Sequence, residues 1–78
     1  MSKTKENRAA FVVCLKNEGY EASLQLYKIY RLLLDPEAEK ESNLRVIDES
    51  GEDYLYPKAW FASIDVPEAV ATALLKTA

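Results

Sequence analysis

The chain contains no histidine and only one cysteine among its 78 residues. Without histidine, a serine or cysteine nucleophile lacks its usual imidazole base, and Cys14 alone can form neither an internal disulfide nor a zinc site. No apolar run approaches the roughly 20 residues that span a bilayer, and the N-terminus lacks the apolar stretch of a secretory signal. The sequence therefore predicts a cytoplasmic protein that is not an enzyme and binds no metal or cofactor.

The negative charge of the chain lies mainly in one central stretch. The net charge is −3, yet residues 35–53 carry eight acids against Lys40 and Arg45, a local charge of −6. Residues 1–8 carry three cations against Glu6, a local charge of +2. Because the central stretch would repel a phosphate backbone, the charge pattern argues against nucleic-acid binding.

Short apolar runs predict strands. Residues 11–15 (FVVCL) are rich in β-formers and end at a polar segment containing Gly19, which favours a buried strand with Cys14 as a small core residue. Residues 21–34 are ambiguous, because they fit either an amphipathic helix or a strand over residues 28–33. Asp35 and Pro36 form a helix-start signal, which predicts a short helical turn in an exposed loop.

The clearest local pattern is a hairpin. Two runs of β-formers, residues 44–49 and 53–56, flank Ser50 and Gly51, a pair suited to a tight turn. This turn would pair Ile47 with Tyr54 and Val46 with Leu55 across the two strands. Residues 62–65 predict a short last strand, and residues 65–68 (DVPE) resemble a capping box that opens a C-terminal helix.

This order of elements resembles the small Src-homology-3-like barrel. The closest local likeness is residues 51–61 (GEDYLYPKAWF), where a strand ends in proline and a tight turn carries an aromatic residue. Residues 26–33 (LYKIYRLL) stand where such barrels place the strand after a long first loop, so the resemblance favours strand there. Residues 17–24, 28–31 and 45–57 also resemble short bacterial proteins with no assigned activity. The resemblance implies a fold and supplies no catalytic or ligand-binding residue.

The predicted fold is mainly β, a small five-stranded Src-homology-3-like barrel with a short C-terminal helix. We expect a disordered tail over residues 1–9, the barrel domain over 10–66 and the helix over 67–78. The predicted strands are residues 10–16, 27–34, 44–49, 53–57 and 62–65. The expected core residues are Phe11, Val13, Leu15, Ile29, Val46, Leu55 and Ile64.

Two groups of side chains are candidates for function. Four acids surround the hairpin turn (Asp48, Glu49, Glu52 and Asp53), but their spacing does not match a calcium loop, so we interpret them as a solvated turn. The aromatic residues are too numerous for one thin core, and exposed tyrosine with tryptophan is typical of binding surfaces. The candidate binding residues are Tyr20, Tyr27, Tyr54, Tyr56 and Trp60.

The predicted function is a small non-catalytic protein-interaction or regulatory module, with a protein partner or self-association. Peptide-binding members of the barrel class open the hairpin with tryptophan, whereas Leu44 stands near that place, so proline-rich ligands are not expected. The alternative is a single-stranded nucleic-acid-binding barrel that stacks bases on aromatic rings. Its basic support would come from Lys3, Lys5, Arg8, Lys16, Lys28 and Arg31.

Overall fold

Five antiparallel strands form one sheet in the computed structural model, which describes residues 10–77. The strands are β1 (Ala10–Cys14), β2 (Ile29–Leu33), β3 (Asn43–Ile47), β4 (Asp53–Pro57) and β5 (Phe61–Ile64). Their order across the sheet is β4-β3-β2-β1-β5, so the first strand lies between the second and the last. Two α-helices, α1 (Pro36–Lys40) and α2 (Glu68–Thr77), and a 3₁₀ turn at Lys58–Trp60 complete the described chain.

The mainly β prediction, with five strands and a short C-terminal helix, is confirmed, whereas the sheet is not closed into a barrel. Within the described chain β4 and β5 each have one hydrogen-bonded neighbour, at opposite edges of the sheet. Barrel closure requires matched strand tilt and stagger, and here a loop between β1 and β2 covers the face that a closed barrel would enclose.

The strand positions agree with the sequence prediction to within two residues at every end. The ambiguous segment 21–34 contains β2 at Ile29–Leu33, so the strand interpretation is right for its second half. The predicted C-terminal helix begins at Glu68. Neither α-helix in residues 10–77 combines the length and apolar character needed to cross a bilayer. The tail predicted for residues 1–9 lies outside the described residues.

The buried core lies on one face of the sheet, called here the inner face. Its side chains alternate along the strands with those of the opposite, outer face, as a pleated strand requires. The inner-face core residues are Val12, Cys14, Tyr30, Leu44, Val46, Tyr56 and Phe61. Leu24, from the loop between β1 and β2, completes this core from above and is fully buried.

The core residues expected from the sequence are mostly on the wrong face. Only Val46 belongs to the inner-face core, while Phe11 is buried on the outer face. Leu15 and Leu55 are 45% and 47% exposed. For β1 the cause is the apolar run at residues 11–15, which does not alternate with polar residues and so cannot indicate which side chains point inward.

The predicted hairpin exists, but its register is shifted by one residue. Val46 pairs with Tyr54, and Ile47 pairs with Asp53. The loop is longer than predicted because the backbone amide of Asp48 bonds to the carbonyl of Glu52, which leaves three residues between them. Gly51 has φ +87, as the turn requires. Because a shift of one residue exchanges the two faces of a strand, Tyr56 points inward and Leu55 outward.

Helix α1 begins as the sequence predicts. The side chain of Asp35 caps it by accepting a hydrogen bond from the amide of Ala38 at 3.2 Å, and Pro36 occupies the first turn. Arg45 on β3 donates to Asp35 at 2.8 Å and to Asp53 at 2.8 Å. The Arg45 guanidinium therefore ties α1 to the β3–β4 hairpin and lowers the pKa of Asp35.

Tyr27 adopts a left-handed backbone conformation, with φ 65, immediately before β2. Bulky side chains are strained in this region, whereas asparagine tolerates it, and 74% of Tyr27 is exposed. We therefore expect Tyr27→Asn to raise the free energy of unfolding by about 0.5–1 kcal/mol in urea titrations. Leu26→Asn is the control, since Leu26 has no positive φ, and an equal gain there would contradict the explanation.

Candidate functional site

The loop over residues 15–28 folds across the inner face and brings distant aromatic residues together. Leu24 anchors it in the core, and the Asn17 side-chain amide donates to the Leu24 carbonyl at 2.9 Å. Near its end, the carbonyl of Ser23 accepts a hydrogen bond from the amide of Glu49 in the hairpin at 3.0 Å. The loop is thus fastened to both the core and the hairpin, which fixes the position of Tyr20 between them.

Three aromatic rings meet where this loop crosses β4, and we call Tyr20, Tyr56 and Trp60 the aromatic cluster. The Tyr20 ring packs edge-on against Tyr56 at 5.4 Å and against Trp60 at 5.7 Å between centroids. The rings of Tyr56 and Trp60 stack at 6.4 Å. Tyr20 is 51% exposed and Trp60 is half-buried, whereas Tyr56 is buried. Tyr56 is therefore the floor of the cluster, and the other two rings form its surface.

The 3₁₀ turn after β4 holds Trp60 in place. The Trp60 carbonyl accepts hydrogen bonds from the backbone amides of Leu15 at 2.7 Å and Lys16 at 3.3 Å. The backbone of Leu15 therefore lies beside that of Trp60, and the Leu15 side chain is exposed. The sequence placed Leu15 in the core; its position just before Lys16, at the end of the apolar run, is the signal that it lies outside the strand.

The other two candidate binding residues, Tyr27 and Tyr54, do not join the aromatic cluster. The ring contacts within residues 10–77 do not include Tyr27 or Tyr54. Tyr54 shares the inner face of β4 with Tyr56, is half-exposed and donates to Glu52 at 3.3 Å. The amide of Tyr27 bonds to the carbonyl of Cys14 at 2.6 Å, so its backbone lies at the same end of β1 as Leu15. That Trp60 lies at or beside a partner surface stays a prediction.

A buried carboxylate supports the aromatic cluster from below. The Tyr56 hydroxyl donates to one oxygen of Asp48 at 2.6 Å, and Ser23 lies 3.1 Å from the same hydroxyl. The other Asp48 oxygen accepts bonds from the amide and hydroxyl of Ser50 at 2.9 and 2.6 Å. Burial acts to raise the pKa of Asp48, but the bonds from Ser50 and Tyr56 outweigh it and lower that pKa.

The interpretation of the hairpin acids as a solvated turn is only partly right. Asp48 is buried, and Glu49 accepts bonds from the Lys28 ammonium at 2.6 Å and the Tyr30 hydroxyl at 2.5 Å. Lys28 and Tyr30 together lower the pKa of Glu49. These acids therefore connect the hairpin to β2 and to the loop over residues 15–28. No group of three or more potential ligands in the described chain is arranged to hold a metal ion.

Cys14 is a core residue, as the sequence predicts. It is fully buried, and burial raises the pKa of its thiol despite a hydrogen bond to the Lys16 carbonyl. The thiolate is the nucleophilic form of cysteine, so burial suppresses the reactivity of this residue.

Comparisons with protein-family models, curated proteins and solved structures find no match for this chain. The interpretation of the site therefore rests on its own geometry. That geometry presents two amphipathic rings, the half-exposed Tyr20 and the half-buried Trp60, packed on buried Tyr56. Such rings supply large contact areas with little loss of side-chain entropy, which is the property of protein-binding surfaces.

Proposed function

We propose that this protein is a small non-catalytic protein-interaction or regulatory module, and that the aromatic cluster with Leu15 is its contact surface. The observation that carries the proposal is the mutual packing of the exposed Tyr20 and half-buried Trp60 rings over buried Tyr56. Aromatic anchors on a rigid base are the residues that dominate binding energy in protein interfaces. The partner is another protein or a second copy of this chain.

The strand arrangement supports a Src-homology-3-like fold for this module. β1 lies between β2 and β5, all neighbouring strands are antiparallel, and a 3₁₀ turn joins β4 to β5. The turn begins directly after Pro57 and ends with Trp60, as in the resemblance described for residues 51–61. In this arrangement the long first loop and the 3₁₀ turn meet at one end of the sheet, where a partner can touch both.

The negative charge on the hairpin favours a protein partner over a nucleic acid. Glu52 is exposed on the hairpin and accepts a hydrogen bond from Tyr54, so its charge would repel phosphates that approach this ring. A protein partner can instead pack apolar side chains on Tyr20, Trp60 and Leu15 and place cations near the hairpin acids. The single-stranded nucleic-acid alternative is therefore the weaker of the two.

Tyr20→Ala is expected to weaken partner capture or self-association at least tenfold while leaving the domain folded. Tyr20 is half-exposed, so its loss should change the free energy of unfolding by only about 1 kcal/mol. We would measure self-association by sedimentation equilibrium, and partner capture by comparing proteins retained from cell extract on wild-type and variant protein.

The matched control is Leu34→Ala, which removes another exposed apolar side chain. Leu34 follows the C-terminal end of β2, whereas the loop that carries Tyr20 leads into the N-terminal end. The control variant should retain the same proteins and the same association state as the wild type. If Tyr20→Ala and Leu34→Ala behave alike in both measurements, the aromatic cluster is not the contact surface.

A further inference from the structure

A second surface lies on the outer face of the sheet, away from the aromatic cluster. There a cavity of about 300 Å³ opens between the sheet, the hairpin and α2. Its apolar walls include Phe11, Ile29 and Ile47 from the sheet and Leu74 and Leu75 from α2. Cavities of this size with mainly apolar walls and a few polar groups are typical of small-molecule sites.

Arg31 stands in this apolar wall, at the middle of the central strand β2. Its register partners on the two sides are Phe11 and Ile47, both apolar. The Nε atom of Arg31 is buried and has no hydrogen-bond partner within residues 10–77. A buried N–H donor without an acceptor is unfavourable, because it has given up its hydrogen bond to water. An acceptor brought by a ligand would remove this penalty.

The other charged groups that line the cavity are already paired. Lys28 and Glu49 form an ion pair at 2.6 Å, and Glu49 also accepts from the Tyr30 hydroxyl. Asp48 receives its bonds from Tyr56 and Ser50. The Nε donor of Arg31 is the side-chain N or O atom that lies buried without a hydrogen-bond partner among the described residues. The cavity is therefore complementary to an apolar body that carries a hydrogen-bond acceptor for Arg31.

We propose that this cavity binds a small amphipathic monocarboxylate, with its carboxylate on Arg31 and its hydrocarbon chain between the sheet and α2. A carboxylate matches the planar donor fork of arginine, and the apolar chain matches the Ile29, Ile47 and Leu74 side of the cavity. The proposal does not rest on the function proposed for the aromatic cluster.

Octanoate is the probe for this site, titrated below its micellar concentration into ¹⁵N-labelled protein. We expect saturable amide shifts for Arg31, Ile47 and Leu74, little change at Tyr20 and Trp60, and a dissociation constant on the order of 0.1–1 mM. Arg31→Met keeps the length of the side chain and removes its charge, so octanoate should bind at least tenfold more weakly. Lys58→Met is the matched control, because Lys58 is an exposed cation that does not line the cavity, and its affinity should be unchanged.

Two further ligands separate the contributions of charge and chain. 1-Octanol has the chain without the charge, and acetate has the charge without the chain; each should bind at least tenfold more weakly than octanoate. Equal binding of octanoate and octanol, full affinity in Arg31→Met, or shifts confined to the aromatic cluster would overturn the proposal. A melting curve checks that Arg31→Met is folded; if it is not, Arg31→Gln takes its place with the same expected loss.

Discussion

Replacing Leu24 by alanine is expected to lower the free energy of unfolding by about 3 kcal/mol. Leu24 is fully buried against the inner-face core, and truncating such a leucine removes its burial energy and leaves a cavity. For a chain of 78 residues this is a large part of the total stability, and the melting temperature should fall by roughly 12–24 °C. Urea and thermal unfolding measure both quantities.

Leu26→Ala is the matched control, because the same chemical change two residues away removes a side chain that is 44% exposed. It should change the free energy of unfolding by less than about 1 kcal/mol. The Leu24 variant should also alter the fluorescence of Trp60, the single tryptophan, because the loop that carries Tyr20 loses its anchor. A Leu24 variant as stable as the Leu26 variant would show that the loop does not belong to the core.

Asp48→Ala is expected to lower the free energy of unfolding by about 2–4 kcal/mol. The carboxylate accepts bonds from the Tyr56 hydroxyl and from the amide and hydroxyl of Ser50, and bonds to a charged acceptor are among the strongest in proteins. Its loss leaves donors without their acceptor beneath the aromatic cluster and removes the side chain that shapes the hairpin loop. Urea unfolding at neutral pH gives the difference, with Glu18→Ala as an exposed control.

The pH dependence of stability gives an independent test of the same carboxylate. The pKa of Asp48 is lower in the folded protein than in the unfolded chain, so ionised Asp48 stabilises the fold above the unfolded value of about 3.9. This contribution disappears as the pH falls through the folded-state pKa. The stability difference between wild type and Asp48→Asn should therefore be largest near neutral pH and shrink in acid. A difference that is constant from pH 7 to pH 2 would contradict it.

The positions of the strands were predictable because each is a short run of β-formers bounded by polar residues, glycine or proline. The face that β1 buries was not predictable, because residues 11–15 are all apolar and do not alternate with polar residues. The hairpin register depended on a side chain: hydrogen bonds from Ser50 to Asp48 stabilise a three-residue loop where the sequence indicated two. The exchange of faces along β4 follows from this one residue.

The aromatic cluster was predictable only in part. Tyr56 and Trp60 lie close in sequence, and the pattern around Pro57 indicated that they share a turn. Tyr20 joins them because Leu24 and Ser23 fix the loop over residues 15–28, and no local pattern shows which of the apolar loop residues is buried. The unpaired state of Arg31 was invisible in sequence as well, since it depends on which residues face it across β1 and β3.

The place of β1 in the middle of the sheet has a consequence for how the chain folds. Its partners come from distant parts of the sequence, and its ladder with β5 joins Phe11 to Ile64. On a ribosome, β1 emerges first and keeps one edge unpaired until nearly all of the described chain has been made. Long-range pairings of this kind lose chain entropy when a large loop closes, before the new contacts can offset that loss. This cost slows the folding of small β-proteins to milliseconds or longer. Phe61, next to Cys14, is thus among the last residues to enter the core.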